Sequence, residues 1–376
     1  MRRMAVAAGA LGLACATACG GHAAPPAAGA GAGAATATAR PVPTATATGQ
    51  PTPKATEPKT TAPRRTAPKA TAPKATAAVA STPSANRVSI GPPQPSRPGG
   101  WWRPTASGPN NGPEFQWELD HPLNISSAQD TGSGAVNALG KGSGVTTVFD
   151  IDGIINPAST VAALHRLNDK AICYIEVGAA GSYYSAAEEN LPVTYYQQLS
   201  QAGDLGQAEP GYPEYYLNIN ASSTVRIIES MIKQQCAAKG FDAVEPDIDD
   251  SYTDSTGFSI TEQDNIQYDR TLGAYAHSLG LAWGQKNGDN DPEFSEALEP
   301  TTDFLLDEEC NYYQTCGIVT PPYVRAGKLV LNAEYTDDWG QGVTADLSRF
   351  CPADVAGHID GLLFTTALAG QRNPCR

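Results

Sequence analysis

The chain has 376 residues, 41% of them apolar and 17% charged, with 37 Gly, 30 Pro and eight Cys. That excludes a coiled coil and a uniformly disordered polymer. Charge is split along it: residues 1–99 carry eleven Lys or Arg against one acid, Glu57, and the remainder carries 14 bases against 38 acids. So acidic a remainder argues against nucleic acid, which needs a basic surface to meet its phosphates. It suits a neutral or cationic ligand, or else is a solvated acidic surface with no binding role.

In chain order, residues 1–19 come first and read as a secretory signal. Arg2 and Arg3 are followed by an Ala-, Leu- and Gly-rich stretch, 5–18, too short to span a bilayer. Cys19, between Ala16-Thr17-Ala18 and Gly20-Gly21, stands where a bacterial lipoprotein signal places its lipidated cysteine. The expectation is an exported chain, anchored by lipid at Cys19 or freely secreted. Residues 20–99 repeat Ala, Thr and Pro, as in Thr66-Ala67-Pro68-Lys69-Ala70-Thr71-Ala72-Pro73-Lys74. Such a segment cannot bury a core and reads as a disordered linker. At ~3.1 Å per residue in the polyproline form it would reach on the order of 200 Å.

From residue 100 the composition becomes globular and includes all five Trp. Eight short apolar runs predict buried strands: 115–119, 145–151, 171–177, 241–245, 281–285, 303–306, 329–333 and 362–364. Between them, 159–167, 224–239 and 261–279 carry helical spacing. The last opens with a Thr261-x-x-Asp264 capping box, and Gly240 and Gly280 read as helix stops. Alternating strands and helices imply a parallel sheet, and eight repeats over 100–376 predict a single (β/α)8 barrel. In that fold the chemistry lies at the C-terminal strand ends.

Those ends are rich in acids. They present Asp150 and Asp152, Tyr174 and Glu176, Glu245, Asp247, Asp249 and Asp250, Lys286 and Asn287, Asp307, Glu308 and Glu309, then Glu334 and Tyr335. Half-buried acids are unfavourable unless they are paired or work on a substrate. Many carboxylates with aromatics and one lysine suggest glycoside hydrolysis, in which one carboxyl protonates the leaving oxygen and another attacks the sugar or activates water.

Several blocks in order strengthen this reading: Phe241-Asp242-Ala243-Val244-Glu245-Pro246-Asp247, Tyr252, Gly257-Phe258, Ala276-His277, Gly280-Leu281, Lys286-Asn287, Glu308 with Cys310 and Cys316, and Glu334-Tyr335. Together with Trp117, Asp150-x-Asp152 and Cys173-Tyr174-Ile175, they resemble glycoside hydrolase family 114, the endo-α-1,4-polygalactosaminidases. The resemblance implies a retaining barrel hydrolase that needs no cofactor and cuts α-1,4-linked galactosamine and N-acetylgalactosamine polymers, whose free amines are cationic. By position it implies Asp247 as nucleophile and Glu308 as acid/base, with Glu309 the competing neighbour. Asp150, Asp152, Tyr174, Glu245, Asp249, Tyr252, Lys286, Asn287, Glu334 and Tyr335 are expected to hold sugars and their ammonium groups. Departures from the family pattern are Ile248 where Asn is usual, Ser251 where Gly is usual, and Glu309 where Gln is usual. The protein is expected to be a monomer on the cell surface or outside the cell.

The alternative is a barrel that binds wall or matrix polysaccharide without cutting it. Phe149-Asp150-Ile151-Asp152-Gly153 resembles the first motif of aspartate-nucleophile phosphatases, but Ile154 follows it and bases are scarce. Asp247-x-Asp249-x-Ser251 lacks the Gly and Glu of a calcium loop, and the five His show no metal spacing. Six cysteines remain past the signal: Cys173, Cys236, Cys310, Cys316, Cys351 and Cys375. In an exported chain they imply disulfides, with fifteen pairings open. The preferred set is 310 with 316, 351 with 375, and 173 with 236.

Overall fold

A computed structural model describes residues 100–106, 115–132, 146–288, 291–336, 343–368, 370 and 372–375. The expected signal, Cys19 and linker lie outside the described residues. All eight expected strands form: β1 (Phe115–Glu118), β2 (Val148–Asp152), β3 (Lys170–Glu176), β7 (Ala243–Asp247), β8 (Ala282–Lys286), β9 (Phe304–Glu308), β10 (Leu329–Tyr335) and β11 (Asp360–Phe364). They pair in parallel in that order, with a short antiparallel β12 (Asn373–Pro374) beside β11. The expected (β/α)8 order is therefore present.

The seam is not made as a regular ladder. The sheet curls until the Phe364 ring meets Phe115 and Trp117, with centroids 6.4 and 6.1 Å apart. The chain after β11 then fills the gap: Leu119 N–H donates to Leu368 O at 3.2 Å, and Arg372 Nε to Phe115 O at 2.6 Å. Among the described residues no ladder joins β1 to β11.

Strand side chains alternate between two cores. Phe115, Trp117, Val148, Ile172, Ala243, Ala282, Phe304, Leu306, Leu331 and Leu362 fill the inside of the curl. Ile151, Cys173, Ile175, Val244 and Trp283 point outward against helices Ala158–Arg166, Ser222–Met231 and Glu262–Ser278. The Thr261–Asp264 capping box is formed, and Gly240 and Gly280 take left-handed φ at the helix ends.

Two features depart from the expected pattern. The helix expected to run through 224–239 becomes a π-helix over Ile232–Ala237, which carries Cys236. After β3 the chain also makes a three-stranded antiparallel excursion, β4 (Ala179–Gly181), β5 (Leu205–Ala208) and β6 (Glu214–Leu217). Its strands are three or four residues long, β4 buried and β5 and β6 partly exposed, and none is long enough to show an apolar run.

Disulfides join Cys173 to Cys236, Cys310 to Cys316 and Cys351 to Cys375. The first closes 63 residues and ties β3 to the π-helix, whereas the second closes six. Loop-closure entropy makes the long link worth about 4 kcal/mol and the short one about 2. Replacing Cys173 and Cys236 together by Ala is therefore expected to lower unfolding free energy about twice as much as the same change at 310 and 316, measured by urea titration.

Candidate active site

Alternation places Asp150, Tyr174, Glu245, Asp247, Lys286, Glu308 and Tyr335 on the inner side of their strands, above the apolar filling. Lys286 is the hub. Its buried Nζ lies 2.8 Å from Asp247 Oδ1, 3.0 Å from Glu245 Oε1 and 3.1 Å from Glu308 Oε2. It also sits 5.2 Å from the ring centroid of Trp117, which forms the floor. Tyr174 donates its hydroxyl to Asp247 Oδ2 at 2.7 Å, and Tyr335 donates to Glu308 Oε1. Asp247 and Glu308 are thus each gripped from two sides, by an ammonium and by a phenol.

Electrostatics follow from four carboxyls sharing one ammonium. Burial alone would lower the Lys286 pKa, but Asp247, Glu245 and Glu308 outweigh it and hold the amine charged. Burial, then the neighbouring Glu245, pushes Asp150 far above the ordinary carboxyl range. Burial also raises Glu245 to about 7 against the pull of Lys286. Asp150 and Glu245 act on one another's ionisation, so the two carboxyls titrate as a pair. Burial raises the hydroxyls of Tyr174 and Tyr335 well above the usual tyrosine value, and the facing Asp247 and Glu308 add to it. Both phenols stay neutral donors.

The other residues expected to touch sugar also make hydrogen bonds within the protein, and Tyr252 and Asn287 among them are half-buried. Asp152 is buried; its Oδ1 accepts from Ile154 N at 2.7 Å and Ile155 N at 2.9 Å, and its Oδ2 accepts from Tyr184. Asp249 is buried too, and accepts from the Lys286 backbone N–H at 3.0 Å. Asn287 Oδ1 accepts from the Glu308 backbone N–H at 2.9 Å. Glu334 holds Asn311 N at 2.8 Å and Tyr312 N at 3.3 Å. Tyr252 donates to Asp291 at 2.7 Å. These five groups shape the loops that carry the inner set. Of the two adjacent glutamates, Glu308 reaches Lys286, while Glu309 begins the next loop at φ +56° with its carboxyl buried.

The excursion adds an acid that sequence reading missed. Glu209 is buried next to Glu214 and near Asp247; desolvation, then these two charges, raises it to about 9. Its only sequence signal is an acid in a polar hairpin, which is too common to single out.

Asp247 is aimed by an unusual turn. Ile248 adopts φ +61°, and Asp247 O accepts from Val177 N at 2.9 Å. Gly178 makes room, since a Cβ there would lie 1.8 Å from Ile248 O. A β-branched residue at positive φ is strained by about 1–2 kcal/mol, whereas Asn tolerates it. Ile248→Asn is thus expected to stabilise the protein by about 1 kcal/mol, read as a higher midpoint in thermal unfolding.

A β/α sheet that gathers carboxylates around one lysine at its C-terminal edge is the arrangement of a glycoside hydrolase. The chain belongs to glycoside-hydrolase family GH114, whose profile matches residues 92–376. Its fold is similar to that of Ega3 from Aspergillus fumigatus, solved in complex with galactosamine, with a TM-score of 0.58 and 22% identity over 73% of this chain and 97% of that one. It is also similar to the glycoside hydrolase domain of PelA from Pseudomonas aeruginosa, with a TM-score of 0.48 and 11% identity over 69% of this chain and 97% of that one. No curated protein matches the chain.

Proposed function

We propose that the protein is an exported endo-acting glycoside hydrolase that cuts α-1,4-linked polymers of galactosamine and N-acetylgalactosamine with retention of configuration. The observation that carries this reading is the bridge from Asp247 through Lys286 to Glu308. Its two contacts, 2.8 and 3.1 Å, cap the separation of the bridged oxygens at their sum. That cap admits the ~5 Å between carboxyl groups of retaining pairs.

In the first step Asp247 attacks the anomeric carbon while Glu308 passes its proton to the leaving glycosidic oxygen. In the second Glu308 takes a proton from water, which displaces Asp247. Tyr174 and Lys286 hold the Asp247 carboxyl in place from two sides. The acid-rich mouth favours a polymer with free ammonium groups. The galactosamine bound to the similarly folded Ega3 supports this sugar class, and the disulfides support export.

The test is incubation of the purified protein with partly deacetylated galactosaminogalactan, chitosan and peptidoglycan, with mass analysis of products and NMR of the newly formed anomeric centre. Oligosaccharides from the first alone, formed initially as the α-anomer, are expected. Binding without new reducing ends would make the protein a polysaccharide-binding barrel instead.

A further inference from the structure

The loop that follows Glu308 has a feature that its connecting role does not require. Among the described residues only five large apolar side chains are strongly exposed, and two are sequence neighbours in this loop: Tyr312 at 42% and Tyr313 at 45%. Their rings meet edge to face, with centroids 5.0 Å apart and planes at 82°. A short polar connection would leave no such surface in water.

The loop is also braced. The Cys310–Cys316 disulfide closes it, and Thr315 N donates to Cys310 O at 2.7 Å inside the ring. Glu334 takes Asn311 N and Tyr312 N on its two oxygens, and Tyr313 N donates to Glu309 O at 2.9 Å. The clamp is coupled to the site. Glu334 adjoins Tyr335, which donates to Glu308, and Glu308 ends the strand from which the loop departs. Rigid aromatics displayed beside a cleft offer contact area at little cost in conformational entropy.

We infer that Tyr312 and Tyr313 form a stacking platform for a pyranose ring of the polymer, on the leaving-group side of the bond that is cut. The side follows from roles. Glu308 protonates the leaving oxygen, so the chain segment beginning beside Glu308 borders the sugars that leave. The ring chemistry fits as well. With O4 axial, a galacto-configured sugar carries the C–H bonds at C3, C4 and C5 on one face. That apolar face packs on an aromatic ring, while its hydroxyl and amino groups point away. The inference rests on the galactosamine-polymer reading above.

The experiment compares two substrates, the deacetylated galactosamine polymer and an aryl α-galactosaminide whose leaving group is not a sugar. With Tyr312→Ala and Tyr313→Ala combined, kcat/KM for the polymer is expected to fall about tenfold, mainly through KM. The fall for the aryl glycoside should be several times smaller. Tyr312→Phe with Tyr313→Phe keeps both ring faces and should recover most of the polymer activity. An equal loss on both substrates would make the pair merely structural. An unchanged polymer KM, or a change in oligomeric state as the only effect, would also overturn the platform. Failure of the wild-type protein to cut the polymer would sink the substrate reading and the platform with it; wild-type cutting with an unaffected variant would sink the platform alone.

Discussion

Replacing Asp247 by Asn or Glu308 by Gln is expected to lower turnover by about a thousandfold or more while leaving the fold intact, since proton transfer and covalent attack each supply factors of that order. Each amide is close in size to the acid it replaces and still offers a carbonyl to its phenol and to Lys286, so unfolding midpoints should move little. The two roles separate by chemical rescue. In Asp247→Ala an added azide ion enters the vacated space, attacks the anomeric carbon and expels the leaving sugar, giving a glycosyl azide of inverted configuration. In Glu308→Ala the azide attacks the covalent intermediate and releases Asp247, so the configuration is retained. An activated aryl leaving group needs no proton and should restore the first step only in the Glu308 variant. Turnover near that of the wild type in either amide variant would remove that residue from the mechanism, and rescue with the stereochemistry exchanged would swap the assignments.

Lys286→Met should be the most damaging single change to both stability and activity. It removes the ammonium that lies within 3.1 Å of three carboxyls and leaves Glu245, Asp247 and Glu308 without it. Breaking a buried ion pair from one side typically costs about 3–5 kcal/mol, because the remaining charge stays buried. Loss of the cation also removes the pull that opposes burial at Glu245, so its pKa rises further. The acidic limb of the kcat profile should therefore move to higher pH, as Glu245 takes up its proton more readily. If Lys286→Met proves too unstable to assay, Lys286→Met with Glu245→Gln removes one of the stranded charges and should recover part of the loss in unfolding free energy. A variant as stable as the wild type, with its pH profile in place, would show that Lys286 is not the hub.

Much of this architecture was legible from the chain alone, for identifiable reasons. The eight strands have apolar runs long enough to stand out, and strand alternation with helices implies parallel order. Once that order is accepted, residues at strand C-termini such as Asp247, Lys286 and Glu308 must approach one another. The excursion β4–β6 escaped because its strands are too short to carry a period. The seam escaped because it depends on rings from β1 and β11 and on a tail more than 200 residues beyond β1.

The limit falls among the acids themselves. Asp152, Asp249 and Glu334 look like Asp247 and Glu308 in sequence, since all are carboxylates at or just past strand ends. What separates them is which N–H groups lie within about 3 Å, and loop geometry and side-chain direction decide that. Sequence determined that acids would collect at one edge of a parallel sheet, because period and strand order alone bring them there. Only the tertiary structure decided that Lys286 would stand between Asp247 and Glu308 while the other carboxylates brace loops, because a hydrogen bond is set by distances across strands that sequence spacing does not encode.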